Sequence, residues 1–313
     1  MSRLVVVSLN AAVDQTVQVA DFRLEAVNRV VSSRDDAGGK GVNVASFLAH
    51  VGHEVVLTGL LGDANAALFA RHFAAAGITD ACVRVPGATR TNLKIIDTLS
   101  GAVTDLNYPG LSVGPDALDA VKARLEERAS GLEILVLSGS LPRGLPETTY
   151  AELTAWGHHR GALVVLDASG AALAAALDAG PDLIKPNRAE LEELLGVPLP
   201  TAQAVAAAAQ RLRARGVGRV VVSMGAEGAV VCDPEGVFLV EPPSVAVVST
   251  VGAGDAMVAG FVHAQGLGMG GEAAARLATG FSLGALGEIG PRLPALARIE
   301  ALAAQVSVGV LAV

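Results

Sequence analysis

Lysine is scarce in this chain of 313 residues: it occurs only as Lys40, Lys94, Lys122 and Lys185, and Lys plus Arg total 23 against 31 acidic residues. The formal net charge of −8 argues against nucleic acid as a partner, because duplex binding draws most of its affinity from Lys and Arg neutralising phosphates. Where a lysine persists in such a chain, an ammonium is specifically wanted. Cysteine is nearly absent too. Cys82 and Cys232 stand far apart and form no CxxC pair, which leaves no support for structural zinc or a disulfide framework and makes two free buried thiols the expectation. No long apolar run is present either. The longest stretch without Asp, Glu, Lys or Arg, 194–210, contains Gly196, Pro198, Pro200 and two Gln, whereas a membrane span needs about 20 predominantly apolar residues. The short apolar run before Asn10 and Asp14 does not have the form of a signal peptide, so a cytoplasmic location is expected.

At 51% hydrophobic and 17% charged, with no block of five like charges, the chain has the composition of a globular protein with a sizeable core. Short runs rich in Val, Ile and Leu alternate with helical patterns. That alternation predicts a doubly wound α/β core with a mostly parallel sheet, strands at 4–8, 55–59, 134–138, 163–167, 183–185 and 220–223. Helices are expected near 42–51, 64–76, 115–128, 147–158, 171–177, 188–195 and 202–215, with the C-terminal third helical from Asp255 onward. Two inserts, about 15–33 and 89–108, break the alternation and read as extended polar and apolar residues in turn. They predict a small antiparallel β-sheet lid over the carboxyl edge of the main sheet, where α/β folds bind ligands. No repeat and no linker divides the chain, and a single domain over 1–313 is expected.

Several familiar patterns are present only by accident. Gly266-Leu267-Gly268-Met269-Gly270-Gly271 satisfies GxGxxG but follows a helix rather than a strand. Gly280-Phe281-Ser282-Leu283-Gly284 satisfies GxSxG inside a helical stretch, where the sharp turn of a nucleophile elbow cannot form. A Walker A loop is absent, since Gly39-Lys40 is followed by Gly41. His50 and His53 have no third ligand and read as surface histidines.

Three segments carry chemistry. In Gly252-Ala253-Gly254-Asp255 the small residues let the backbone turn tightly and aim successive N–H groups at one point, where the following helix adds its positive end. Asp255 at the edge of that anion hole is placed to take a proton from a hydroxyl, or simply to cap the helix. In Lys185-Pro186-Asn187-Arg188-Ala189-Glu190, Asn187 and Glu190 face one side and suit a hydrated Mg²⁺, and their spacing fits a capping box equally well. Ser223, Gly225 and Gly228 end a later strand, as a nucleotide-contacting turn would. Asp14, Gly39, Lys40 and Asn43 are suited to a polyhydroxylated ligand, and Lys40 with Arg90, Asn92 and Lys94 to a phosphate on it.

The pairing of Gly38-Gly39-Lys40-Gly41-Val42-Asn43 with Gly252-Ala253-Gly254-Asp255, together with Ser138-Gly139-Ser140-Leu141-Pro142 and Lys185-Pro186-Asn187, resembles the ribokinase-type, or PfkB, family of carbohydrate kinases over essentially the whole chain. Thr89-Arg90-Thr91-Asn92-Leu93-Lys94 is similar to its ketose-phosphate branch. The resemblance implies ATP and Mg²⁺, with Asp255 as base and Gly252, Ala253 and Gly254 as anion hole. It also implies acceptor contacts from Asp14, Gly39, Lys40, Asn43, Arg90, Asn92, Lys94 and Ser138. ATP is placed near Lys185, Asn187, Ser223, Gly225 and Gly228, and Mg²⁺ at Asn187 and Glu190. Fructose 1-phosphate is the expected acceptor, with fructose 6-phosphate and tagatose 6-phosphate the alternatives and a homodimer through the lid the expected assembly. Ala11 and Ala256 depart from the branch's usual Pro and Ser without removing a catalytic group. A non-catalytic sugar-phosphate-binding regulator would have no need of the base.

Overall fold

The computed structural model describes residues 3–312. Its central strand β1 (Leu4–Ser8) is buried at every position, and its side chains alternate between two cores: Leu4 and Val6 face one, Val5 and Val7 the other. Strand β9 (Ile134–Ser138) divides in the same way, which is why these strands read as continuous Val, Ile and Leu runs.

Around β1 the chain winds outward in both directions. Between β1 and β4 (Val55–Gly62) come the lid strands β2 (Ala12–Val19) and β3 (Val30–Gly38) and helix α1 (Lys40–His50). Helix α2 (Ala66–Ala76) then leads to the short edge strands β5 (Thr79–Asp80) and β6 (Val83–Val85). Two more lid strands follow, β7 (Thr91–Asp97) and β8 (Val103–Leu106). Helix α3 (Pro115–Arg128) then brings the chain back to β9 on the other flank of β1. Beyond it lie α4 (Thr149–His159), β10 (Leu163–Asp167), α5 (Gly170–Ala176), β11 (Leu183–Ile184), α6 (Arg188–Leu195), α7 (Ala202–Ala214) and β12 (Arg219–Ser223). The six predicted strands form one parallel sheet, in the order β12-β11-β10-β9-β1-β4. The order reverses between β1 and β9, so a crevice opens at their carboxyl ends.

The structure departs from the sequence reading in several places. Antiparallel strands β13 (Ala229–Asp233) and β14 (Gly236–Glu241) extend the sheet beyond β12. The C-terminal third is helical in α8 (Ala253–Gly266), α9 (Gly271–Leu286) and α10 (Leu296–Ala303), but it ends in β15 (Ser307–Val310), which adds to β14. The lid is four-stranded, order β3-β2-β7-β8, yet its central pair β2–β7 is parallel and only its outer pairs are antiparallel. Two distant inserts that both leave the main sheet in the same direction meet side by side, a relation that local alternation does not encode. The lid also starts earlier than 15, at Ala12, so Asp14, which follows β1, stands on β2. Cys82 and Cys232 are both free, but only Cys232 is fully buried. His53 is not a plain surface residue, because its Nε2 lies 2.8 Å from Nδ1 of the buried His263 on α8.

Helices α8 and α9 cross closely because glycine lets them. A Cβ on Gly260 would stand 2.5 Å from the Cα of Ala278 and 3.1 Å from the Cβ of Phe281. Gly260→Ala is expected to destabilise the protein by up to about 2 kcal/mol in urea unfolding, since a Cβ 2.5 Å from a backbone Cα puts the overpacking cost toward the upper part of about 1–3 kcal/mol, above the helix-propensity gain of about 1 kcal/mol. A neutral or stabilised variant would show that the crossing has slack.

Candidate active site

The crevice is built where the first and last thirds of the chain meet. Gly252 caps α8 with φ 78°, a left-handed turn, and a Cβ there would press against Phe47 at 3.3 Å. This leaves Asp255 in the first turn of α8. An aspartate there often reaches back to cap its own helix, but α8 has no side-chain cap bond. The carboxylate instead turns to α1, where Asn43 Nδ2 donates to its Oδ2 at 2.8 Å. Both side chains are buried, and burial pushes the Asp255 carboxyl up to about 6, with Lys40 working in the opposite direction. The N-cap reading of Asp255 is therefore set aside by the geometry.

Asn187 and Glu190 resolve the other way. Asn187 Oδ1 accepts from the Glu190 N–H at 2.9 Å, and Glu190 Oε2 accepts from the Asn187 N–H at 2.8 Å, a complete capping box at the start of α6. One carboxylate oxygen of Glu190 has no part in the box.

Between these groups lies a carboxylate that sequence reasoning passed over. Asp167, the last residue of β10, is fully buried. It takes the Lys40 ammonium on both oxygens at 3.2 Å and lies 3.5 Å from the Lys185 Nζ. Burial alone would raise its pKa, but the two lysines hold it below the usual carboxylate range. Burial likewise disfavours the charged Lys40, and Asp167, Asp255 and Glu190 more than reverse that. Two of the chain's four lysines thus converge on one aspartate. The available signal was a lone Asp closing an apolar strand, at the edge where α/β sheets bind ligands.

A cavity of about 350 Å³ opens above this core, between the lid and the N-terminus of α8. It is lined by Asp14, Gly39, Lys40, Asn43, Arg90, Asn92, Lys94, Gly252 and Asp255, all singled out from sequence, and by Asp105 and Asn107, which were not. Asp14 Oδ1 accepts from Asn92 at 3.2 Å across the parallel β2–β7 pair, and burial raises its pKa. Arg90 is tied more tightly than a free phosphate ligand would be: its Nε and two terminal nitrogens donate to the carbonyls of Ala11, Tyr108 and Asn10 at 3.3, 2.7 and 3.0 Å. Ser138 does not open into this space. It is fully buried at the end of β9, and its Oγ has no hydrogen-bond partner among the described residues.

The nucleotide candidates gather on the other side of Asp255. Gly254 faces Lys185, whose Nζ would stand 3.3 Å from a Cβ there. Asn187 bridges to Ser223, and the Ser223 N–H donates to the Pro186 carbonyl at 3.1 Å. The Gly225–Gly228 turn closes through the Gly228 N–H to the Gly225 carbonyl at 3.0 Å, and Arg188 holds Glu227 beside it at 2.8 Å.

The pfkB family of carbohydrate kinases matches residues 2–297. The chain belongs to that family. Among relatives of this PfkB kinase, the 1-phosphofructokinase of Rhodobacter capsulatus is 60% identical over 98% of this chain and 97% of its own. The 1-phosphofructokinase of Xanthomonas campestris is 47% identical over 89% of each. Among solved structures, phosphofructokinase-2 from Escherichia coli in complex with potassium superimposes with a TM-score of 0.91 at 31% identity, over 97% of this chain and 99% of that one. Carbohydrate kinases of this kind take their phosphoryl group from ATP. Among the described residues, no helix is long and apolar enough to cross a membrane.

The raised pKa of Asp255 has a consequence for stability. A carboxyl near 6 in the folded chain and near 3.8 unfolded favours the fold at low pH, and this contribution is lost as pH rises from about 4 to 6. Asp255→Asn escapes the penalty. It should be more stable than the parent by on the order of 2–3 kcal/mol at pH 7 to 8, with the difference vanishing below about pH 4 in urea titrations. A variant less stable than the parent at pH 8 would mean that Lys40 outweighs burial.

Proposed function

We propose that this PfkB kinase transfers the γ-phosphoryl group of ATP to the 6-hydroxyl of fructose 1-phosphate, giving fructose 1,6-bisphosphate. The single observation that carries the catalytic assignment is the buried Asp255 carboxylate, turned away from its own helix and held by Asn43 at the floor of the acceptor cavity. The 60% identity to a 1-phosphofructokinase supports the choice of acceptor.

In this reading the ketose lies along the cavity with its phosphate toward Arg90, Asn92 and Lys94 and its 6-hydroxyl at Asp255. Asp255 Oδ2 is occupied by Asn43, which leaves Oδ1 to accept the hydroxyl proton as the oxygen attacks phosphorus. With a pKa of about 6, the carboxylate is mostly ionised at neutral pH. Asp14 and Asn43 Oδ1, which has no partner among the described residues, take the sugar hydroxyls. The first-turn N–H groups of α8 have no acceptors within the helix, and Ala253 N reaches the Thr250 carbonyl only at 3.5 Å. Gly252, Ala253 and Gly254 therefore present donors to the transferring phosphoryl group, with Lys40 adding positive charge from the acceptor side. ATP lies over Lys185, Asn187, Ser223 and the Gly225–Gly228 turn. Ser138, closed off beneath the crevice, supports the site rather than touching the sugar.

Magnesium fits beside Glu190. The capping box leaves one carboxylate oxygen there, and among the described residues no three His, Cys, Asp or Glu side chains form a metal cage. A Mg²⁺ that keeps most of its waters and binds through one carboxylate and the nucleotide phosphates suits such a surface, where it would neutralise phosphate charge. The two sheets work together as one domain in this reading, and the lid offers an assembly face. Leu24, Val27, Val31 and Leu99 are largely exposed there, which supports a homodimer through the lid.

The test is ADP release with fructose 1-phosphate, fructose 6-phosphate, tagatose 6-phosphate and unphosphorylated fructose at matched concentrations. Fructose 1-phosphate should give the highest kcat/KM. Asp255→Asn should bind both substrates yet lose turnover by roughly 10²- to 10⁴-fold. Preference for a 6-phosphate would reverse the sugar's orientation, and near-normal turnover would remove Asp255 from the mechanism.

A further inference from the structure

The acceptor cavity presents three cations, and each is held differently. Lys40 is pinned to both oxygens of the buried Asp167. Arg90 spends a donor from each nitrogen on a backbone carbonyl. Lys94 answers instead to a carboxylate that faces solvent. Its Nζ lies 2.5 Å from Asp105 Oδ1, and the two residues pair across β7 and β8. The Lys94 side chain is 15% exposed and that of Asp105 51%, and both line the cavity. Lys94 is thus the one of the three cations that can change partner without unmaking a buried network or a backbone clasp.

We infer that Asp105 is the resident counter-ion of Lys94, which the acceptor's phosphate must displace, and that it sets how tightly that phosphate is held. The inference rests on the reading of the cavity as a sugar-phosphate site. A phosphate monoester brings about 1.5 to 2 negative charges and three acceptor oxygens, so it can replace a single carboxylate at the ammonium. Binding then costs the Lys94–Asp105 pair and leaves Asp105 as an unpaired negative charge in the same wall, close to the dianion. Both effects weaken the grip. They act on any phosphorylated occupant, including a product that carries a second phosphate, and so they favour release. A neutral sugar brings nothing to exchange for the carboxylate and leaves the pair closed.

The measurement is calorimetric binding of fructose 1-phosphate and of unphosphorylated fructose, without nucleotide, to the parent, Asp105→Asn and Asp105→Glu. Asp105→Asn should lower the Kd for fructose 1-phosphate about three- to tenfold, as expected for losing a part-exposed ion pair and a nearby like charge. Asp105→Glu keeps the charge and should stay within about twofold of the parent. The gain should shrink at about 1 M salt, where screening acts within about 3 Å, and should be absent with fructose. Unchanged or weaker binding by Asp105→Asn, with the parent binding fructose 1-phosphate normally, would overturn the inference and make Asp105 a guide that orients Lys94. If the parent binds no sugar phosphate, the reading of the cavity fails instead.

Discussion

The hydrogen bond from Asn43 to Asp255 joins residues 212 positions apart, and the site depends on it. It ties α1, which opens beneath the lid, to α8, which opens beside Lys185. Asn43 closes the first turn of α1, which starts one residue after β3, and Asp255 sits in the first turn of α8, each helix starting abruptly at a glycine with positive φ. Neither helix caps itself with a side chain. Their first-turn N–H groups are therefore left facing the crevice, with a carboxylate among them instead of above them.

Burying that carboxylate is costly, and its surroundings offset the cost without abolishing it. Asp167 and Asp255 are matched by Lys40 and Lys185 over a small volume, so the crevice floor is close to neutral although each group is desolvated. Asp167 takes both ammonium groups, which leaves Asp255 with an amide donor as its direct partner. One aspartate is thereby held firmly ionised and the other stays near the pH at which it can exchange a proton. Two carboxylates with separated roles are a recurrent solution in acid–base catalysis.

How much of this was legible beforehand follows the range over which each feature is determined. The buried strands read directly, because a strand covered on both faces must be apolar throughout, as β1 and β9 are. The glycine-rich helix starts at Gly39 and Gly252 read directly too, because their positive φ is a local requirement. Asp255 and the capping box at Asn187 and Glu190 could each be read as cap or as chemistry, and only the partner found in space separates them. Asp167 was missed because one Asp at the end of Leu163–Asp167 looks like a strand terminus until two distant lysines arrive. The parallel pairing of β2 with β7, the His53–His263 contact and the place of Asp105 in the cavity wall depend likewise on partners that no window of sequence contains.

In the proposed reaction Asp255 and the α8 N-terminus meet the acceptor hydroxyl and the transferring phosphoryl group at one point, with the sugar's phosphate at the far end of the cavity. The direct measurement is a crystal structure with fructose 1-phosphate and a non-hydrolysable ATP analogue. The 6-hydroxyl should lie about 2.6–3.2 Å from Asp255 Oδ1, the γ-phosphate over Gly252 to Gly254, and the 1-phosphate beside Lys94. A 1-phosphate lodged at Gly252 to Gly254, or a 6-hydroxyl out of reach of Asp255, would contradict it.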